Sequence, residues 1–173
     1  IKIGKHILKR FAYNISRTTE NKVKTPPFWI NMPALFEVYV YSLMLRDNPN
    51  QRREILYQFS THGNALDILV TTPGHHMIAD AKYKLSYEKS LLHSDIRQVA
   101  GYARLRKVRD KLKITDDRNI DCLIIYPDIE NGETDLSLAN IWAKRKPIGV
   151  YHKVYKLGVR VPEIKSINGL NQL

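Results

Sequence analysis

The chain has 173 residues, 43% of them apolar and 26% charged, which suffices for one domain with a sizeable core and excludes wholesale disorder. Lys and Arg outnumber Asp and Glu by 28 to 17, and the resulting charge of +11 attracts polyanions, nucleic acid first among them. No stretch has the length of a transmembrane helix, no secretory signal precedes the domain, and no long basic amphipathic helix offers a Trp/Leu face, so no membrane partner is expected. The single cysteine, Cys122 in "IDCLIIY", excludes an internal disulfide and a four-cysteine cluster; it reads as a buried small hydrophobe and fits a reducing cytoplasm. The first residue is Ile1 rather than Met, which is expected of a fragment of a longer protein.

In chain order, "KIGKHILKRFAYNI" spaces Ile3, Ile7, Leu8, Phe11 and Ile15 as on a basic amphipathic helix, and "SRTTENKVKTPPF" reads as a loop ending in a proline pair. "MPALFEVYVYSLMLRD" predicts a buried helix over 33–46, with Pro33 suited to its first turn. "EILYQFS", "NALDILVTT" and "HMIADAKYK" are three short β-type runs separated by the turn signals "THGN" and "PGHH", so a three-stranded meander is expected. "SLLHSDIRQVAGYARLRKVRDKL" predicts one helix with Ile96, Val99, Tyr102, Ala103 and Leu105 on or near one side. "NIDCLIIYPD" reads as a central strand buried on both faces. "IENGETDLS" reads as a hairpin or loop, and "IGVYHKVYKLGVRVP" as one or two further strands. A meander followed by a helical crossover to another strand makes a mixed sheet flanked by helices, an α/β fold.

Within this frame "IADAKYK" stands out. Alternation along a strand turns Asp80 and Lys82 to one face and Ala81 to the other. Asp67, in "ALDILV", lies thirteen residues upstream, and a hairpin brings it opposite Asp80. Two neighbouring carboxylates repel and burial makes both costlier, a cost that a divalent cation removes. Mg²⁺ takes oxygen ligands, usually one or two carboxylates completed by water and phosphate. Lys82 would then position the attacking water and offset charge on a phosphoryl group. Glu37 is the only acid in "PALFEVYVYSLML", and an acid in so apolar a helix needs a reason. Gln98 and Tyr102, at i and i+4, share one helical face. Each feature also has a plain reading. Asp67 suits a half-exposed strand surface, Asp80–Lys82 a surface ion pair, Glu37 an arginine partner, and Gln98–Tyr102 the packing of a helix on a sheet. His75 and His76 read as turn residues for want of a third ligand, and His93 as a surface residue. Of the basic residues Arg97, Arg104, Arg106, Lys107, Arg109, Lys111 and Lys113, most read as a solvated face, with Arg104 and Lys111 spaced to follow a phosphate backbone.

The pattern D-x₁₂-D-x-K after a helical glutamate resembles the PD-(D/E)xK nuclease superfamily, whose core runs helix, three-stranded meander, helix, strand. The Q-x₃-Y pair resembles the RecB-like branch. More closely, "PFWINMPALFEVYVYSLM", "YQFSTHGNALDILV", "MIADAKYK", "IRQVAGYARL" and "IDCLIIYPD" together resemble the McrC family, the nuclease subunit of McrBC-type 5-methylcytosine restriction systems, over residues 27–128. One departure is that Leu66 stands where the superfamily has its name-giving proline.

The resemblance implies a restriction-endonuclease-like domain over 27–173, preceded by a basic helix and linker over 1–26. It implies a Mg²⁺-dependent DNA endonuclease, with Mn²⁺ as a substitute ion. Asp67, Asp80 and the Ala81 carbonyl would ligate the metal, Glu37 would do so directly or through water, and Lys82 would place the nucleophile. Gln98 and Tyr102 would orient these groups and contact the backbone of double-stranded DNA. An AAA+ GTPase (McrB-like) partner would supply recognition and translocation. Two rivals keep the same fold: a RecB-like repair exonuclease, and a DNA-binding or assembly module that has lost its chemistry. The presence of Asp67, Asp80 and Lys82 favours an enzyme.

Overall fold

The structure is a computed structural model that describes residues 30–61, 64–84 and 93–162. The chain divides into two units, Ile1–Asn31 and Met32–Leu173, and the elements below belong to the second. The basic helix and proline-paired loop expected over 1–29 lie outside the described residues.

Helix α1 (Met32–Asp47) buries Phe36, Val40, Leu43 and Met44, one stripe at helical spacing. Its run is apolar all round, which predicts full burial, but Leu35 and Val38 on the far side stay 50% and 45% exposed. The helix covers one face of a sheet rather than filling a core, so its length says nothing about its outer side. Three antiparallel strands follow: β1 (Ile55–Thr61), β2 (Asn64–Val70) and β3 (Met77–Ala81). This is the expected meander, closed at one turn by Gly74 at φ +80°.

The long helix expected over 90–112 is two helices, α2 (His93–Tyr102) and α3 (Arg106–Lys111). Between them the Arg104 N–H bonds the Gly101 carbonyl and the Leu105 N–H bonds the Tyr102 carbonyl, closing a tight turn. Leu105 is extended (φ −64°, ψ 125°) and packs on the core that receives Ile96, Val99 and Val108. A straight helix could not hold all of these against a twisted sheet. Strand β4 (Asp121–Pro127) is buried on both faces, as its β-branched run predicts. Segment 129–137 is a loop, joined to the sheet by the bridge Glu133–Val159 and by the packing of buried Leu136. Helix α4 (Leu138–Lys144), which the sequence reading leaves unassigned, is capped by Ser137, whose hydroxyl accepts from the Asn140 N–H. β5 (Lys146–Pro147) is a stub, and β6 (Val154–Val159) is the one full strand of the last segment.

The six strands form one mixed sheet in the order β1-β2-β3-β4-β6-β5, with β3, β4 and β6 parallel. Parallel neighbours need crossovers, and these place α2 and α3 on one face and α4 on the other, beside α1. Met77, Ala79, Leu123, Ile125 and Ile141 pack with α1, while Ile78, Cys122, Ile124, Ile96 and Val99 form the opposite core. Buried Asn48 ties α1 to α4 within one layer. Its amide donates to the Met44 and Leu136 carbonyls, and its oxygen accepts from the Leu138 N–H, which satisfies the end of α1 and the start of α4. Cys122 is buried, and burial pushes its thiol up to about 12, as expected of an inert core cysteine.

Candidate active site

The site forms where the sheet opens. The β2–β3 ladder pairs Val70 with Met77, Leu69 with Ile78 and Ile68 with Ala79, and then stops. The next pair would be Asp67 and Asp80. In place of a ladder bond, the Asp67 carboxylate accepts from the Ala81 N–H at 2.8 Å. On the other side of β2, the β1 ladder pairs Tyr57 with Ile68 and Phe59 with Leu66 but skips Gln58, which lies opposite Asp67 at φ +46°. A non-glycine residue in that region is held against steric cost, and such kinks cluster at functional sites. Gln58 is a participant that sequence reasoning misses, because nothing in "YQFS" signals a left-handed residue.

Asp80 is only 1% exposed. Its Oδ2 lies 2.8 Å from the Lys82 ammonium and has no other polar partner among the described residues. The Lys82 N–H donates to the Ile125 carbonyl of β4. Main-chain groups alternate sides along a strand, so the Ala81 carbonyl faces the β2 gap beside Asp67, as its N–H does.

Lys82 Nζ donates to Gln98 Oε1 at 2.9 Å, and Gln98 Nε2 donates to the Tyr102 hydroxyl at 3.0 Å. The helical pair expected from spacing is therefore a relay that fixes the lysine from α2. One turn earlier, Asp95, also buried, takes Lys84 Nζ on both oxygens at 2.8 and 3.0 Å. Asp95 lies in the quoted helix segment, and its part becomes visible only once α2 is laid beside the end of β3.

The charges respond to this crowding. Burial, then the neighbouring Asp80 charge, pushes the Asp67 carboxyl from 3.8 to about 7. Burial raises Asp80 as well, against the pull of Lys82. Half-buried Glu37 is raised by burial and by Asp80, while Lys82 and a hydrogen bond from Gln58 draw it down. For Lys82 burial favours the neutral amine, but the ion pair and hydrogen bond with Asp80, together with Asp67 and Asp95, win and hold the ammonium above its usual range.

Two adjacent carboxyls at raised pKa, one of them with a buried oxygen whose sole polar partner among the described residues is Lys82, and a carbonyl at the same gap fit a hard divalent cation that brings its own water. Among the described residues no three His, Cys, Asp or Glu side chains converge to hold a metal, and Glu37 is coupled to the carboxylate pair by charge. His75 packs edge-on against Trp142 with ring centroids 4.8 Å apart, and His93 Nδ1 lies 2.7 Å from the Tyr151 hydroxyl. Arg109 donates to the Asp116 and Arg118 carbonyls, a structural role. Arg104 lies in the turn between α2 and α3 and Lys111 at the end of α3, so the two do not share the single helical face that their seven-residue spacing predicts.

The sequence pattern of the family described as "McrBC 5-methylcytosine restriction system component" matches residues 7–127. The chain belongs to this family. No curated protein matches the chain. Among solved structures, this family member is similar to a chain of the "Refined half-complex from tetradecameric assembly of Thermococcus gammatolerans McrB AAA+ hexamers with bound McrC", at a TM-score of 0.49 and 15% identity. That match covers 79% of this chain and 30% of the other, so the chain spans about a third of the length of its structural relative. Among the described residues, no helix is long and apolar enough to cross a membrane.

Proposed function

We propose that this chain is the cutting subunit of a McrBC-type restriction system, a Mg²⁺-dependent endonuclease with a PD-(D/E)xK site that acts on double-stranded DNA beside an AAA+ GTPase partner. The carrying observation is Asp67 and buried Asp80 at the gap between β2 and β3, with Lys82 held at 2.8 Å from Asp80 and 2.9 Å from Gln98.

In this reading Asp67, Asp80 and the Ala81 carbonyl hold the ion, with Glu37 behind them through water. When bound, Mg²⁺ or Mn²⁺ supplies Lewis acidity and lowers the pKa of water. The chain's residues supply position and charge. Lys82 keeps its proton, so it serves as a cationic donor rather than a general base. It points an attacking water at phosphorus and offsets the negative charge that builds on the phosphoryl oxygens. Gln98 and Tyr102 hold Lys82 in one rotamer. The water oxygen bonds to phosphorus, the bond from phosphorus to O3′ breaks, and a proton released from the water ends on O3′.

The test is cleavage of closed-circular plasmid with Mg²⁺ by the assembled system. Asp80→Ala and Lys82→Ala are expected to fold and to lose cutting by at least about a hundredfold. Normal cutting by either variant would remove the assignment, and attack confined to linear DNA would point to the exonuclease rival.

A further inference from the structure

Gly101 lies in the last turn of α2 without a structural reason to be glycine. Its φ lies outside the left-handed range, and a Cβ built there meets nothing within 4 Å. A helical glycine costs stability relative to alanine. Contrast Gly132 and Gly158, where a Cβ would strike backbone or the Asp128 side chain. A bare helix surface that serves no internal contact suits close approach by something outside the chain.

Its flanks say what. Arg97 is four residues before Gly101 and on the same side of the helix. Arg104 is three residues after, in the turn that ends α2, closed by its N–H to the Gly101 carbonyl at 3.1 Å. Arg97, Gly101 and Arg104 are all exposed, and no other described residue engages either guanidinium. Arg46, Arg109, Arg118, Arg145 and Arg160, by contrast, are each committed to a carboxylate or carbonyl. Arg97 and Gly101 lie about 6 Å apart along α2, and Arg104 follows in the turn beyond its last residue, Tyr102. That rise is roughly two phosphate steps of one DNA strand, at about 3.4 Å each. The strip lies next to Gln98 and Tyr102, the pair that grips Lys82.

We infer that the Arg97–Gly101–Arg104 strip seats the phosphate backbone of one DNA strand, with Gly101 left bare so that the backbone lies against the helix between two arginine forks. This rests on the nuclease reading, since it delivers a neighbouring phosphate to Lys82. Arginine suits the task because its planar fork binds phosphate bidentately.

The test measures two quantities that a structural role would move together. Gly101→Ala and Gly101→Gln are expected to raise the melting temperature of the full chain by roughly 1–3 °C, since both are better helix formers. Gly101→Gln is expected to weaken binding to a 20-base-pair duplex by on the order of tenfold, and Gly101→Ala by less. Arg97→Gln and Arg104→Gln should each reduce the slope of log affinity against log salt by about 1. Unchanged DNA affinity and slope in all four variants would overturn the inference, as would loss of partner assembly alone, which would make the strip a protein-docking face. The nuclease reading fails on a different result, undiminished cleavage by Asp80→Ala.

Discussion

Asp67 carries the site's pH dependence. Its carboxyl titrates near 7 in the folded chain and near 3.8 when unperturbed, so the folded state holds the proton more tightly. The contribution to stability is fully present below about pH 4 and is lost as pH rises towards about 7. Asp67→Asn, which keeps an oxygen for the Ala81 N–H, should remove this slope and raise the melting temperature at pH 7.5 with little change at pH 4. Thermal unfolding across that range checks it, and parallel pH curves for the two proteins would refute it. The same carboxylates should bind metal. At pH 8, Mg²⁺ is expected to raise the melting temperature of the wild type by ligand linkage and to leave Asp67→Asn/Asp80→Asn unmoved.

At the scale of elements, the stop of the β2–β3 ladder at Ile68 and Ala79 makes the gap, and β1 kinks at Gln58 on the other side of β2 at the same level. The far side of the sheet is held by the 128–137 loop, which is drawn against β6 at Gly132. A methyl group there would collide with the Asp128 carbonyl, the Arg160 N–H and the Val159 carbonyl carbon, all main-chain atoms that cannot swing aside. Gly132→Ala should therefore destabilise the chain by about 1–3 kcal/mol. Gly149→Ala, where a Cβ meets open space, should cost much less. Urea denaturation of the two variants distinguishes them, and equal midpoints would contradict this account of the loop.

For the whole molecule, the question is control. The 173 residues contain no G-x₄-G-K-[ST] motif to power movement along DNA, and no motif that reads a base. On the proposed reading, a basic nuclease with neither specificity nor restraint would endanger the genome of its cell. The isolated chain is therefore expected to cut weakly or not at all, and assembly with an AAA+ GTPase to activate it by raising local concentration and pairing two cutting domains on opposite strands. Mixing chain, partner, GTP and methylated plasmid, with each omitted in turn, tests this. Vigorous double-strand cleavage by the chain alone would refute it.

Local pattern was enough for α1, the meander, β4 and the pairing of Gln98 with Tyr102, because periods of 3.6 and 2 decide which residues share a face. It was also enough to single out Asp67, Asp80 and Lys82, since charge inside an apolar strand costs energy whatever the fold. Residue type alone did not place Gln58 in a left-handed kink, Asp95 on Lys84, or Glu37 near enough to feel Asp80. These depend on how far β2 diverges from β3 and on where α2 crosses the sheet, quantities set by packing between segments distant in sequence. The break between α2 and α3 has the same origin: one continuous helical pattern, bent because Ile96 and Val108 must reach the same twisted sheet.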